Sequence, residues 1–193
     1  MRRTGFTLAE LLIALAILGV IATFTIPKVL QSQQSSQYKA AGKEMVGMIS
    51  GAYQAYQQAG DGTYTNGADL TPYMNYISVD STSPIDAPPG YGIVLCGDNN
   101  STCLKMHNGG LFLYFDTDFY FCDSPGLTAM PFIFDPDGMG NGVTTGLGLI
   151  LYDNARLTSA EHTLAGTIAG DGNDGVCDNP FVAATDPPWF DWD

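Results

Sequence analysis

The sequence predicts an α+β fold in which one long N-terminal helix packs against a small antiparallel β-sheet head. Three observations carry this. Residues 6–27, FTLAELLIALAILGVIATFTIP, form an apolar run of about the ~20 residues a helix needs to cross a bilayer core. Next, Tyr38, Ala41, Met45, Met48, Ile49, Ala52, Tyr53 and Tyr56 recur at three- and four-residue steps, with Gln and Ser between them, the spacing of one helix face. Beyond Gly62 that period is lost, and short apolar runs alternate with turn residues, the signature of strands.

The leader, residues 1–5, is MRRTG. Arg2 and Arg3 directly precede the apolar run, so the positive-inside rule keeps the N-terminus in the cytoplasm and sends the rest across the membrane. An ordinary signal peptide would place a small-residue cleavage site behind its apolar core. Here Gly5 lies in front of it. An ordinary anchor would not carry Glu10, because a carboxylate at mid-helix costs about 3 kcal/mol on insertion scales.

The residues Gly5, Phe6, Thr7, Leu8 and Glu10, followed by the apolar stretch with Gly19 and Pro27, resemble the processing signal of type IV pilins and type II secretion pseudopilins. The resemblance covers about the first thirty residues. It implies cleavage between Gly5 and Phe6 by a membrane-embedded prepilin peptidase, with methylation of the new Phe6 terminus. It also implies that Glu10 meets the amine of a neighbouring subunit during assembly. An amine and a carboxylate are each costly in an apolar core, and each lowers the cost of the other. The partners so implied are further pilin or pseudopilin subunits, the peptidase and an inner-membrane assembly platform. The implied location is a single-pass inner-membrane protein with its head outside the cytoplasm, which then enters a periplasmic or extracellular filament. Pilins and pseudopilins share this signal. A modest, acidic head leans towards the secretion pseudopilus and a disulfide near the C-terminus towards pilins. The alternative is a minor tip pilin acting as an adhesin or ligand-binding module, its tools being the acidic loops and the aromatic tail with Trp189, Phe190 and Trp192.

Four segments follow: leader 1–5, transmembrane and assembly segment 6–27, amphipathic continuation 28–59, and a β-rich head 60–193. Gly19 weakens a helix by about 1 kcal/mol relative to Ala, and Pro27 removes a backbone donor. The two therefore mark a place for helix flexibility. Gly60-Asp61-Gly62 terminates the helix. In the head, 70–77 read as a short helix and 91–95 as a strand. Residues 111–115 and 119–122 read as a hairpin about Asp116-Thr117-Asp118. Residues 131–134 and 147–152 read as strands flanking a Gly-rich loop.

That loop, DPDGMGNG at 135–142, sets Asp135, Asp137 and Asn141 on a turn, with Asp153 after the next strand. Oxygen ligands on a flexible loop suit Ca²⁺, although the spacing departs from the EF-hand. Asp and Gly also simply form turns, so both readings stand, as they do for Asp171, Asn173, Asp174 and Asp178. Calcium is thus the one cofactor candidate. Cys96, Cys103, Cys122 and Cys177 all follow the apolar run. Outside the cytoplasm they read as disulfides. The polar GDNNST between Cys96 and Cys103 favours that pair, leaving Cys122 with Cys177.

The charge pattern excludes other classes. The 193 residues carry a formal −13. From Glu44 onward nineteen acidic residues face only Lys105 and Arg156, a surface that repels phosphate backbones and argues against nucleic-acid binding. His107 and His162 lie far apart, and no nucleophile elbow or triad signature is present, so the chain is not expected to be an enzyme.

Overall fold

A computed structural model describes residues 7–60, 67–89, 93–97, 101–115, 129–142, 145–152, 155–159 and 186–191. The chain divides into two compact units, Met1–Gln37 and Tyr38–Asp193. The helix α1, Leu8–Ala59, contributes to both.

In the first unit α1 stays helical through Gly19 and Pro27. The hydroxyls of Thr23 and Thr25 donate to the carbonyls of Gly19 and Ile21, at 2.8 and 2.9 Å. Such back-bonding satisfies polar side chains within the helix itself, as an apolar surrounding demands.

In the second unit Met45, Ile49, Ala52, Tyr53 and Tyr56 are buried along one stripe of α1, the stripe that the spacing marks out. After Gly60, at φ +72°, a 3-10 helix spans Gly67–Tyr73. This corrects the expected helix at 70–77. The helical turn begins earlier and stops at Tyr73, and Ser78 already starts a strand. Pro72 cannot donate a backbone hydrogen bond. Gly67 lies so close to Tyr114 that an added Cβ would stand 2.6 Å from the Tyr114 Cβ.

Among the described residues eight strands follow: β1 Ser78–Asp80, β2 Pro84–Asp86, β3 Ile93–Leu95, β4 Ser101–Lys105, β5 Leu111–Phe115, β6 Ala129–Asp135, β7 Leu147–Tyr152 and β8 Leu157–Ser159. Six form one antiparallel sheet in the order β1-β4-β5-β6-β7-β8, and β2 pairs with β3 in a second. Both edges of β5 are occupied over Leu111–Leu113, by β4 and by β6. The expected hairpin of 111–115 with 119–122 therefore cannot use Leu111–Leu113; residues 119–122 lie outside the described residues. Among the described residues the outer strands β1 and β8 are three residues long, which limits the edge they offer for unwanted pairing.

The main sheet buries both faces. Leu104, Phe112, Tyr114, Phe132, Phe134, Leu149 and Leu151 cluster with the α1 stripe. Phe112 stacks on Phe132 with ring centroids 5.1 Å apart. From the alternate positions, Cys103, Leu111, Leu113, Ile133, Ile150 and Tyr152 cluster with Ile85 and Ala87 around β2. Two covered faces explain why β5 and β7 read as continuous apolar runs rather than as alternating ones. Trp189 and Phe190 join the helix-side cluster. Trp189 meets Tyr38 edge-on and donates its indole N–H to the Thr145 carbonyl at 2.9 Å. The tail therefore folds back, with Lys39 pairing to Asp191 at 3.1 Å. Trp192 lies outside the described residues.

Candidate functional site

Two places among the described residues concentrate chemistry. The first is the start of α1. Thr7 precedes the first helical residue, and Glu10 stands three positions later. The backbone N–H and the hydroxyl of Thr7 both donate to Glu10 Oε2 at 2.8 Å. The Glu10 N–H reaches back to Thr7 Oγ1 at 3.3 Å. This is a capping box: each side chain satisfies a backbone donor that the helix end leaves open. The carboxylate is also placed where the helix dipole favours negative charge. Around it Leu11, Leu12, Ile13, Leu15, Ile17, Leu18, Val20, Ile21 and Phe24 are all more than half exposed. Among the described residues α1 alone is long and apolar enough to cross a membrane, and none of that apolar window is buried.

The second place is a carboxylate cluster in the head. Asp86 ends β2, Asp135 ends β6 and Asp137 lies in the turn after it. One carboxylate oxygen from each lies within 4.8 Å of the others. Asp135 is fully buried and Asp86 nearly so. The Asp135 oxygens accept N–H groups of Asp86, Asp137, Gly138 and Gly140 at 3.0–3.3 Å. Asp86 Oδ1 accepts the Gly142 N–H at 2.8 Å. Burial, chiefly, pushes the Asp135 carboxyl up to about 6. The Asp86 N–H opposes that rise, while the charges of Asp137 and Asp86 add to it. Gly140, at φ +52°, is required: a Cβ there would strike the backbone of Pro84 and Ile85. The loop thereby closes on β2.

The spacing of 135–142 singled out Asp135 and Asp137, and the structure brings these two together. Asn141 is exposed, its amide nitrogen 3.6 Å from the Met139 sulfur. Asp153 and the acidic loop at 171–178 lie outside the described residues. Asp86 is the member sequence reasoning missed. It sits 49 residues before Asp135 in PIDAPP, where it reads as an ordinary turn residue. Cys96 and Cys103 form a disulfide with Cα atoms 5.5 Å apart, linking the end of β3 to β4. Cys122, Cys177, Gly5 and Phe6 lie outside the described residues.

Comparison with known proteins bears on the first place. The family model for the prokaryotic N-terminal methylation motif matches residues 1–26. ComG operon protein 3 homolog of Bacillus licheniformis is 34% identical over 70 residues, covering 36% of this chain and 71% of the relative. No solved structure matches the chain. A methylation motif on a capped apolar helix, a relative aligned over most of its own length, and a helix-on-sheet head agree with one another: the chain belongs to the type IV pilin-like family, whose members are structural subunits rather than enzymes.

Proposed function

We propose that the chain is the precursor of a filament subunit of the type IV pilus or type II secretion pseudopilus class. Prepilin peptidase would cut it between Gly5 and Phe6, and an inner-membrane platform would assemble it. The observation that carries this reading is the start of α1. An apolar surface is exposed on every side, and its only charge is Glu10. A purely anchoring helix has no use for that charge. Glu10 lies four residues after the expected new terminus, where a neighbouring Phe6 amine would neutralise it in the filament. Gly19 and Pro27 would supply the flexibility needed while the helix passes from bilayer to filament. The tip-adhesin reading loses one of its supports, because Trp189 and Phe190 are buried and offer no aromatic contact surface.

Two measurements test the proposal. The intact mass of the protein from membranes of a host with a prepilin peptidase should show loss of residues 1–5 and one added methyl group. An uncut chain would overturn the reading. Capping and charge pairing are then separated by substitution. Glu10→Gln retains an oxygen for the Thr7 donors but no charge, so filament yield should fall at least tenfold while the head unfolds at the wild-type temperature. Normal filaments from Glu10→Gln would remove the role assigned to the charge.

A further inference from the structure

We propose that Asp86, Asp135 and Asp137 bind one divalent cation of the calcium class, which fastens the two-stranded sheet to the main sheet. Geometry comes first. Calcium takes carboxylate oxygens at 2.3–2.6 Å, so ligands on opposite sides of one ion stand about 5 Å apart. The three carboxylates each offer an oxygen within 4.8 Å of the others, a separation that a single ion spans.

The second observation is independent of the clustering. Asp86 is only 2% exposed, and its Oδ2 has no hydrogen-bond partner among the described residues. An ionised carboxylate oxygen accepts but cannot donate, so only a donor or a cation can satisfy it. No basic side chain pairs with Asp86 or Asp135 among the described residues. Lys105 lines a cleft of about 250 Å³ together with Asp137 and Gly138, yet it makes no ion pair with a described residue. Asp137, half-buried, lines that cleft and is the member of the cluster nearest solvent. Buried like charges without a counter-charge are unfavourable, and one divalent ion removes the deficit.

Calcium suits the site better than magnesium. The Asp135 and Asp137 ligands stand on a glycine-rich loop, and calcium tolerates irregular geometry where magnesium requires a near-ideal octahedron. Bound there, the ion would join β2 to the end of β6, reinforcing contacts already made by the Asp86 N–H and the Gly142 N–H. The disulfide fastens the same small sheet through β3 and β4. The ion would bind whether or not the chain enters a filament.

The experiment is calorimetric titration of the full chain in detergent micelles with CaCl₂ at pH 7, paired with thermal unfolding in excess Ca²⁺ and in chelator. One ion per chain is expected. At about a hundredfold excess over the dissociation constant, the head's melting temperature should rise by about 5–10 °C. Asp86→Asn places an amide where the unpartnered oxygen stands and donates towards Asp135 and Asp137. Its melting temperature in chelator should match or exceed the wild type's, while the calcium-dependent rise disappears. Asp137→Asn, at a half-buried position, should weaken binding at least tenfold without loss of fold. The absence of calcium binding by the wild type would overturn the site and leave a proton shared among the carboxylates as the occupant. A calcium response that persists unchanged in Asp137→Asn would overturn it as well.

Discussion

The two halves of α1 are both helical and both carry large apolar side chains, yet those side chains meet opposite fates. Over residues 8–30 the large apolar side chains are more than half exposed, from Ile21 at 52% to Leu8 at 77%. In the second half Met45 and Ile49 are fully buried beneath the sheet. The difference is one of pattern. The first half is apolar on all sides, so no single face can be satisfied by one sheet. The second half confines its apolar residues to a stripe, with Gln, Lys and Ser elsewhere, and that stripe is what a sheet can cover. A helix that is apolar all round and uncovered needs another apolar solvent, whether lipid or neighbouring helices.

Substitution on the two halves is the strongest way to break this contrast. Ile49→Ala removes a fully buried side chain from the helix–sheet core and should lower the stability of the head by about 2–5 kcal/mol. Leu15→Ala removes a side chain that is 59% exposed and should change the unfolding of the head by less than about 0.5 kcal/mol. Thermal unfolding in micelles measures both. An equal loss from Leu15→Ala would mean that the first half takes part in the core of the head.

A smaller effect sharpens the contrast between the two faces of the sheet. The helix side is held by apolar and aromatic packing, whereas the other side adds a disulfide and the carboxylate cluster. Cys96 and Cys103 are seven positions apart. Closing so short a loop stabilises by about 2–3 kcal/mol in the chain-entropy account. Replacing both cysteines by Ala should cost about that much and leave the helical circular dichroism of α1 intact. A loss of the helix signal together with the disulfide would show that the two faces do not fold separately enough for the contrast to hold.

The uneven legibility of the sequence has the same origin. Periodicity reports on a surface that is half covered, so the stripe from Met45 to Tyr56 is plain in the sequence. The strands at 111–115, 131–134 and 147–152 are legible as apolar runs. Short strands at the edges or in the small sheet are not: Ser78–Asp80, Pro84–Asp86, Ser101–Lys105 and Leu157–Ser159 carry three to five residues and mixed polarity. The start of α1 is legible because Thr7 and Glu10 interact across three positions, within reach of a local pattern. The head cluster is half legible for the converse reason. Asp135 and Asp137 are neighbours in sequence, whereas Asp86 arrives only when the loop with Gly140 closes on β2, and a long-range approach leaves no local mark. Pairing of Leu111–Leu113 with the next apolar run is ruled out because β4 and β6 already occupy both edges there, which chain proximity does not reveal.

The smallest predicted effect compares two carboxylates that local donors satisfy, one in each unit. Glu10 takes both donors of Thr7. At the end of β1, Asp80 takes the N–H groups of Thr82 and Ser83 at 2.9 Å and the Ser83 hydroxyl at 2.6 Å. The Ser83 hydroxyl, followed by the two N–H groups, lowers the Asp80 carboxyl from its ordinary 3.8 to about 2. An acid lowered in the folded state binds fewer protons there than when unfolded. Its contribution is therefore complete above about pH 4 and is lost as pH falls through about 2. Asp135, raised to about 6, acts in the opposite sense: its contribution is present below about pH 4 and is lost as pH rises through about 6 in the absence of a cation. The difference in melting temperature between wild type and Asp80→Ala cancels Asp135 and isolates Asp80. That difference should be constant from pH 7 to 5 and shrink towards zero between about pH 4 and 2. A difference that stays constant to pH 2 would mean that the turn is held by its backbone alone and that Asp80, unlike Glu10, does not hold the element it caps.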